Sequence, residues 1–204
     1  DVIVLAVKPQ ILLAVVKDLA PQLTSPSVIV SIAAGIPVKQ IVKCLGKNAS
    51  IVRAMPNTPA AVGKGITALF ADAPVSVRDL AHQLLSAVGD VVLLENESLM
   101  DAVTAVSGSG PAYVFLLAEA MSVAGVNAGL PEALAEQLAT ATVCGAGALM
   151  ATVDKPPATL RENVASKGGT TAAALSVLMA ESGLAKLMTE AVDAAKKRSI
   201  ELGE

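Results

Sequence analysis

The sequence has no tryptophan, one tyrosine, two phenylalanines, one histidine and two cysteines among its 204 residues. Its core must therefore be built from Ala, Val, Leu and Ile, small side chains that allow helices to pack closely. Cys44 and Cys144 stand 100 residues apart with no CxxC spacing. They read as buried free thiols in a reducing compartment rather than as a disulfide framework or metal site. The lone His82 falls among Leu80, Leu84 and Leu85 on a short amphipathic helix, which gives a His-based triad or metal centre little support. Charge is scarce as well: 16% of residues, a net charge of −3 and a pI near 5.2. An acidic balance with no aromatic-plus-basic cluster argues against nucleic acid as a partner. So few charges cannot wet a whole monomer, so much of the surface is expected to be covered by copies of the same chain. Runs long enough to span a membrane are missing too, although the mean hydropathy is +0.63. Two long uncharged stretches of helical composition, Ala102–Ala118 and Gln137–Val153, have 17 residues each, short of the ~20 that a span needs. Buried helices are the better reading, and no membrane partner is expected. No secretory signal or Arg-rich transit segment is seen, and the expected location is the cytoplasm.

What is present falls into two halves. Asp1–Val7 is a continuous β-branched apolar run, the pattern of an interior parallel strand buried on both faces. With no initiator Met and no preceding edge strand, the chain is expected to begin mid-domain, with earlier strands absent. Lys8-Pro9-Gln10 then opens a helix over Ile11–Leu23, Pro fitting the first turn. Ser27–Ala34 is a second buried strand ending at Gly35, Pro37–Leu45 a short helix, and Ser50–Ala54 a third strand ending in Met55-Pro56-Asn57-Thr58-Pro59. Strands alternating with helices indicate a parallel sheet with crossover connections. Ligands bind such sheets at the carboxyl ends of the strands. Those ends are Ala6–Pro9, Ile32–Gly35 and Arg53–Pro59, all rich in small residues that let a ligand approach the backbone. Gly63-Lys-Gly65-Ile-Thr-Ala68 loosely matches a dinucleotide fingerprint, but it leads into a strand-like run (Ile66–Ala71) and is rejected on that context. A true fingerprint would lie upstream of Asp1. Helix Val75–Ala87 and strand Val91–Leu94 complete this half.

From Glu95 onward strand signals stop. Glu97–Val106, Pro111–Val126, Pro131–Val153, Ala158–Val164, Thr170–Ala180 and Leu184–Leu202 all read as helices, and a domain boundary is placed near Glu95. Pro111–Val126 carries one charge, Glu119, and is otherwise apolar all round, so it is expected to be buried on every side, in a large interface between copies. Gly168-Gly169-Thr170-Thr171 stands before an alanine-rich helical run. Glycine allows a sharp turn and Ser or Thr caps the helix that follows, leaving free N–H groups at the positive end of the dipole. That makes a cradle for a small anion such as a carboxylate, with Asn163, Ser166 and Lys167 adding donors upstream. An ordinary capped helix start fits the same residues.

Four segments in this order, AVKPQ (Ala6–Gln10), RAMPNTPA (Arg53–Ala60), SGSGPAY (Ser107–Tyr113) and NVASKGGTTAAAL (Asn163–Leu175), resemble those of the pyrroline-5-carboxylate reductases. The resemblance runs from Asp1 to the end of the chain. Two departures are the absence of about 60 opening residues of the usual nucleotide domain and Lys167 where many relatives have Pro. The resemblance implies a Rossmann-like α/β dinucleotide-binding domain, truncated at its N-terminus (1–95), followed by an all-α substrate-binding and dimerisation domain (96–204). It implies hydride transfer from NADPH, or NADH, to the cyclic imine of 1-pyrroline-5-carboxylate, giving L-proline. Ala6, Val7, Lys8, Pro9, Ile32, Ala33, Ala34, Asn57 and Asn163 would contact the cofactor. Glu97, Ser166, Gly168, Gly169, Thr170 and Thr171 would hold the substrate. Thr171 would hydrogen-bond the ring nitrogen, and Glu97 would favour the iminium electrostatically. Partners implied are the small-molecule substrate and a second copy, with five dimers in a ring as the larger assembly. Two competing readings are a related two-domain reductase of hydroxy acids or imines and a cofactor-free oligomerisation scaffold. The first usually uses a Lys on the interdomain helix, and Glu97–Val126 has none.

Overall fold

Short β-branched runs separated by Pro- and Gly-marked turns become strands, and the runs with i, i+4 apolar spacing between them become crossover helices. The computed structural model describes residues 1–46 and 49–204. It divides into two compact units, Asp1–Pro111 with Val192–Glu204, and Ala112–Ala191.

In the first unit a five-stranded sheet runs β1 (Val2–Leu5), β2 (Ser27–Ser31), β3 (Ala49–Met55), β4 (Gly65–Phe70) and β5 (Gly89–Leu93), in spatial order 1-2-3-4-5. β1, β2 and β3 pair in parallel, as the alternation of strands and helices predicts. β3 and β4 pair antiparallel, and β5 is parallel to β4. The reversal follows from the short connection: the turn Thr58–Val62 has no room for a crossover helix. Gly63 and Gly65 lie in that turn and at the head of β4, so the loose glycine match opens a strand and not a helix.

Helices α1 (Pro9–Leu19) and α2 (Val38–Leu45) cover one face of β1–β3. Leu12 and Val16 of α1 and Ile41 and Leu45 of α2, each pair at i, i+4 spacing, meet Leu5, Ile29 and Ile51 there. α3 (Val75–Leu85) covers the other face, placing Ala81 and Leu85 against Val30, Val52 and Leu69. Residues one apart in β2 and β3 (Ile29 and Val30, Ile51 and Val52) thus enter opposite cores, as the two-residue strand period requires. β1 departs from the expectation of burial on both faces. It lies at the sheet edge, with Val2 and Val4 exposed, because no described element covers that side of it. The cysteines also depart from expectation: Cys44 is half-buried and Cys144 exposed, and both are free.

The helix read at Glu97–Val106 is a succession of three turn types. A 3-10 turn (Glu97–Leu99) leads into α4 (Met100–Val103) and then a π turn (Thr104–Gly108), where Ser109 N–H donates to Thr104 C=O at 2.9 Å. α5 (Gly110–Asn127) continues from it. The second unit goes on with α6 (Glu132–Thr152), α7 (Pro157–Asn163), α8 (Thr170–Leu178) and the start of α9 (Leu184–Leu202). α5 and α6 approach closely where Gly125 faces Ala135: a methyl group on Gly125 would lie 3.2 Å from Ala135 Cβ. The expected burial of α5 on every side is not met within one chain. None of its residues is buried, and Phe115 and Leu116 are 65% and 62% exposed. A thin layer of helices with small contact residues cannot enclose one of its own members. By length and composition, Glu97–Asn127 and Glu132–Thr152 are long and apolar enough to cross a membrane. The first exceeds the expected run because its turn types join without a break.

Leu12 has no exposed surface and sits at the centre of the α1–sheet core. Leu12→Ala is expected to lower unfolding stability by about 2–5 kcal/mol, measured by denaturant titration with an unchanged m-value.

Candidate functional site

Parallel register aligns the carboxyl ends of two strands beside a third. Leu5 pairs with Ser31 and Ser31 with Arg53, so β1 and β2 end in one row while β3 runs two residues further, to Met55. The backbone continues this order one residue on, where Ile32 N–H donates to Leu5 C=O at 3.2 Å. Ala6–Pro9 and Ile32–Ala34 therefore emerge side by side, as the sequence predicts for a ligand-binding edge. Ala6 and Lys8 are exposed and Val7 and Pro9 half-buried. Ala33 is buried, with Ile32 and Ala34 half-buried on either side of it. Lys8 precedes α1 in extended backbone and Pro9 begins the helix, whose first turn no side chain caps. Ala33 N–H turns back to Ser31 Oγ at 3.5 Å. The edge thus has small side chains, an open helix amino end and one exposed cation, a combination suited to an anionic, extended ligand.

Asn57 ends the third strand's extension. Its Oδ1 accepts from Ile66 N–H at 3.0 Å and its Nδ2 donates to Ser107 Oγ at 3.5 Å, so the side chain ties the β3–β4 turn to the π turn. Glu97 is likewise engaged. Its Oε1 accepts from Arg53 Nη1 at 3.0 Å and from Val38 N–H at 2.8 Å, at the head of α2. An apolar cavity of about 410 Å3 in the same unit, lined among others by Ile66, Val92, Leu99 and Val106, contains none of the predicted site residues.

The remaining candidates lie in the second unit. Asn163 is the exposed last residue of α7, and Ser166 and Lys167 are exposed in the loop after it. Gly168 has φ 73°, a left-handed conformation that residues with a Cβ rarely adopt. Gly169 N–H closes the turn on Ser166 C=O at 3.0 Å. The residue capping α8 is Gly169, in extended backbone. No side chain caps the helix, contrary to the expectation that a Thr would. Thr170 and Thr171 take the first two helical positions, where their hydroxyls are free of a capping role and Thr171 is half-buried. A helix head without a side-chain cap leaves its first N–H groups for a ligand.

One group has no counterpart in the sequence reading: Arg53 pairs with Glu97 and Asp101, and Asp101 in turn accepts from Ser199. The available signal was a single Arg inside the apolar strand Ser50-Ile-Val-Arg-Ala54.

Residues 97–202 match the family model for pyrroline-5-carboxylate reductase dimerisation. A pyrroline-5-carboxylate reductase of Pseudomonas aeruginosa is 48% identical over 206 aligned residues, which cover 100% of this chain and 75% of the relative. The chain belongs to the pyrroline-5-carboxylate reductases. Among solved members of that family, a pyrroline-5-carboxylate reductase of Coxiella burnetii superposes with a TM-score of 0.91 at 39% identity, over 100% of this chain and 76% of that one. A Plasmodium falciparum pyrroline carboxylate reductase with NADP bound superposes with a TM-score of 0.88 at 33% identity, over 100% of this chain and 78% of that one. These reductases thus share the five-stranded unit as well as the helical one.

The left-handed Gly168 generates a stability prediction. Gly168→Ala is expected to cost about 1 kcal/mol or somewhat more, read as a lower denaturation midpoint.

Proposed function

We propose that the chain transfers a hydride from NADPH to the C=N bond of 1-pyrroline-5-carboxylate, giving L-proline. The observation carrying this reading is the family match over the whole of this chain, whose strand ends and α8 head have the open geometry such a reaction uses.

NADPH, when bound, supplies the hydride. Ala6, Val7, Lys8 and Pro9 would hold the nucleotide along the end of β1, and Ile32, Ala33 and Ala34 would line its nicotinamide half along the end of β2. The methyl side chains of Ala6, Ala33 and Ala34 leave the backbone accessible, and the uncapped head of α1 favours phosphate charge. Asn57 and Asn163 are further proposed contacts, Asn57 through its placement of the turn that follows β3.

The substrate carboxylate would sit on the N–H groups at the head of α8, shaped by Ser166, Gly168 and Gly169. Thr170 and Thr171 would hold the ring, with the Thr171 hydroxyl donating to the nitrogen. In the net reaction the imine carbon gains the hydride, the nitrogen gains a proton, and the C=N bond becomes single. The residues' task is orientation, which can contribute ~7–11 kcal/mol of barrier reduction when reacting atoms are held in contact. The family resemblance puts Glu97 beside the iminium. Its ties to Arg53 and Val38 favour an indirect role instead.

The exposed apolar face of α5 is proposed as the contact with a second copy, within the stretch matching the dimerisation model, and five dimers in a ring as the complete assembly. Glu119 in the middle of α5 favours protein over lipid as its cover. The free Cys44 and Cys144 support a reducing compartment, the cytoplasm.

Thr171→Val in the full-length enzyme is expected to lower kcat/KM by roughly 10–100-fold, the loss of one hydrogen bond made to a group gaining charge. Steady-state assay with both substrates checks it, and unchanged kcat/KM would remove the hydroxyl's role. Phe115→Asp is expected to convert the oligomer to smaller species by light scattering. A mass of ten copies for the unaltered enzyme would support the ring.

A further inference from the structure

Arg53 is the one charged residue of β3, and only 3% of its surface is exposed. Its Nη1 donates to Glu97 Oε1 at 3.0 Å, and its Nη2 lies 3.8 Å from Asp101 Oδ1. The same Glu97 oxygen accepts from Val38 N–H at 2.8 Å, which fixes the first residue of α2. On the other side, Asp101 Oδ1 accepts from Ser199 Oγ at 2.7 Å, and Ser199 is 2% exposed near the end of α9.

Both arms of this network end on one segment, the turn between β2 and α2. Glu97 holds its far end through Val38. The end of α9 holds its middle: a methyl group on Gly35, whose φ is 78°, would lie 2.7 Å from Ser199 O and 2.8 Å from Leu202 Cβ. Gln40 Nε2 also donates to Gly203 C=O. Ile32, Ala33 and Ala34 are the first residues of the turn held in this way.

A buried ion pair is a weak source of net stability, because desolvation offsets the attraction between the charges. Arg53 is a poor stabiliser even by that measure, since among the described residues its Nε and Nη2 are buried without a hydrogen-bond partner. An apolar residue in the strand would serve the core better. What the guanidinium does achieve is geometric. Nη1 fixes the Glu97 carboxylate by a hydrogen bond and Nη2 holds the Asp101 carboxylate as an ion pair at 3.8 Å, the first leading to α2 and the second to α9.

We propose that Arg53 is a positioning residue for the reductase, acting through Glu97 and Asp101 to set the Ile32–Ala34 turn for the nicotinamide half of the dinucleotide. The proposal rests on the placement of the cofactor at that turn.

The test uses the full-length enzyme, with NADPH affinity from nicotinamide fluorescence, the KM of pyrroline-5-carboxylate at saturating NADPH, and Tm. Arg53→Lys keeps the charge but not the fork, and is expected to weaken NADPH binding roughly tenfold, the scale of one charge-assisted hydrogen bond. The KM of the other substrate should stay put. Glu97→Gln should weaken NADPH in the same direction. A lower Tm with unchanged NADPH affinity in the folded fraction would show a purely structural role and overturn the proposal. A raised pyrroline-5-carboxylate KM in Glu97→Gln with NADPH affinity intact would return Glu97 to the substrate and also overturn it. Ser199→Ala removes only a hydroxyl at the far end of the network, so it decides the matter if Arg53→Lys does not fold. Unchanged NADPH affinity there counts against the proposal. Ala34→Leu separates the two readings. If it leaves NADPH binding intact, the cofactor placement itself fails. If it abolishes binding while Arg53→Lys has no effect, only the positioning role fails.

Discussion

The parallel register that aligns Leu5, Ser31 and Arg53 is the constraint on which the first unit depends. It sets where β1 and β2 stop and so brings two small-residue turns to one edge. It also carries Arg53 to the row beside them, among groups that can pair with it only there. Hydrophobic burial of Leu12, Val16, Ile41 and Leu45 holds the helices to the sheet. That burial is non-directional and cannot by itself choose a register. The ladder chooses it, and the polar contacts at its end are consistent with that choice alone.

The second unit has a different balance. Among its described residues only Ala135 and Ala139 are buried, while large side chains of α5, α6, α8 and α9 face outward. Small residues such as Gly125 and Ala135 bring helices close but remove little apolar area per contact. Stability of such a unit comes chiefly from surface it shares, in keeping with the family's dimerisation model over residues 97–202.

Much of the first unit was legible in the sequence. The runs at Val2, Ser27 and Ala49 are β-branched and bounded by Pro and Gly, and the helices between them show i, i+4 apolar pairs. The antiparallel β3–β4 pairing was not read, because a strand's composition carries no direction and only the shortness of the turn at Thr58–Val62 imposes one. The exposure of Val2 and Val4 was misread for a related reason: hydropathy states that a face needs cover without stating whether the same chain provides it. At the candidate site the glycine turn before α8 was visible from Gly168-Gly169. The cap fell to Gly169 and not to a Thr, since local spacing does not fix which residue takes the extended backbone. The partners of Arg53, Glu97 and Asp101, were out of reach of any local pattern, standing 44 and 48 positions along the chain, and Ser199 stands 98 beyond Asp101.

The discontinuity of the first unit bears on how the chain is made. Val192–Glu204 belongs to one body with Asp1–Pro111, and the 80 residues of Ala112–Ala191 come between. At about 5–20 residues per second on the ribosome, that interval lasts roughly 4–16 s. During it Asp101 has no Ser199 to accept from, and the α9 residues that rest against Gly35 are not yet made. The nascent sheet therefore stays open to water and to chaperones at the edge later closed by the last helix.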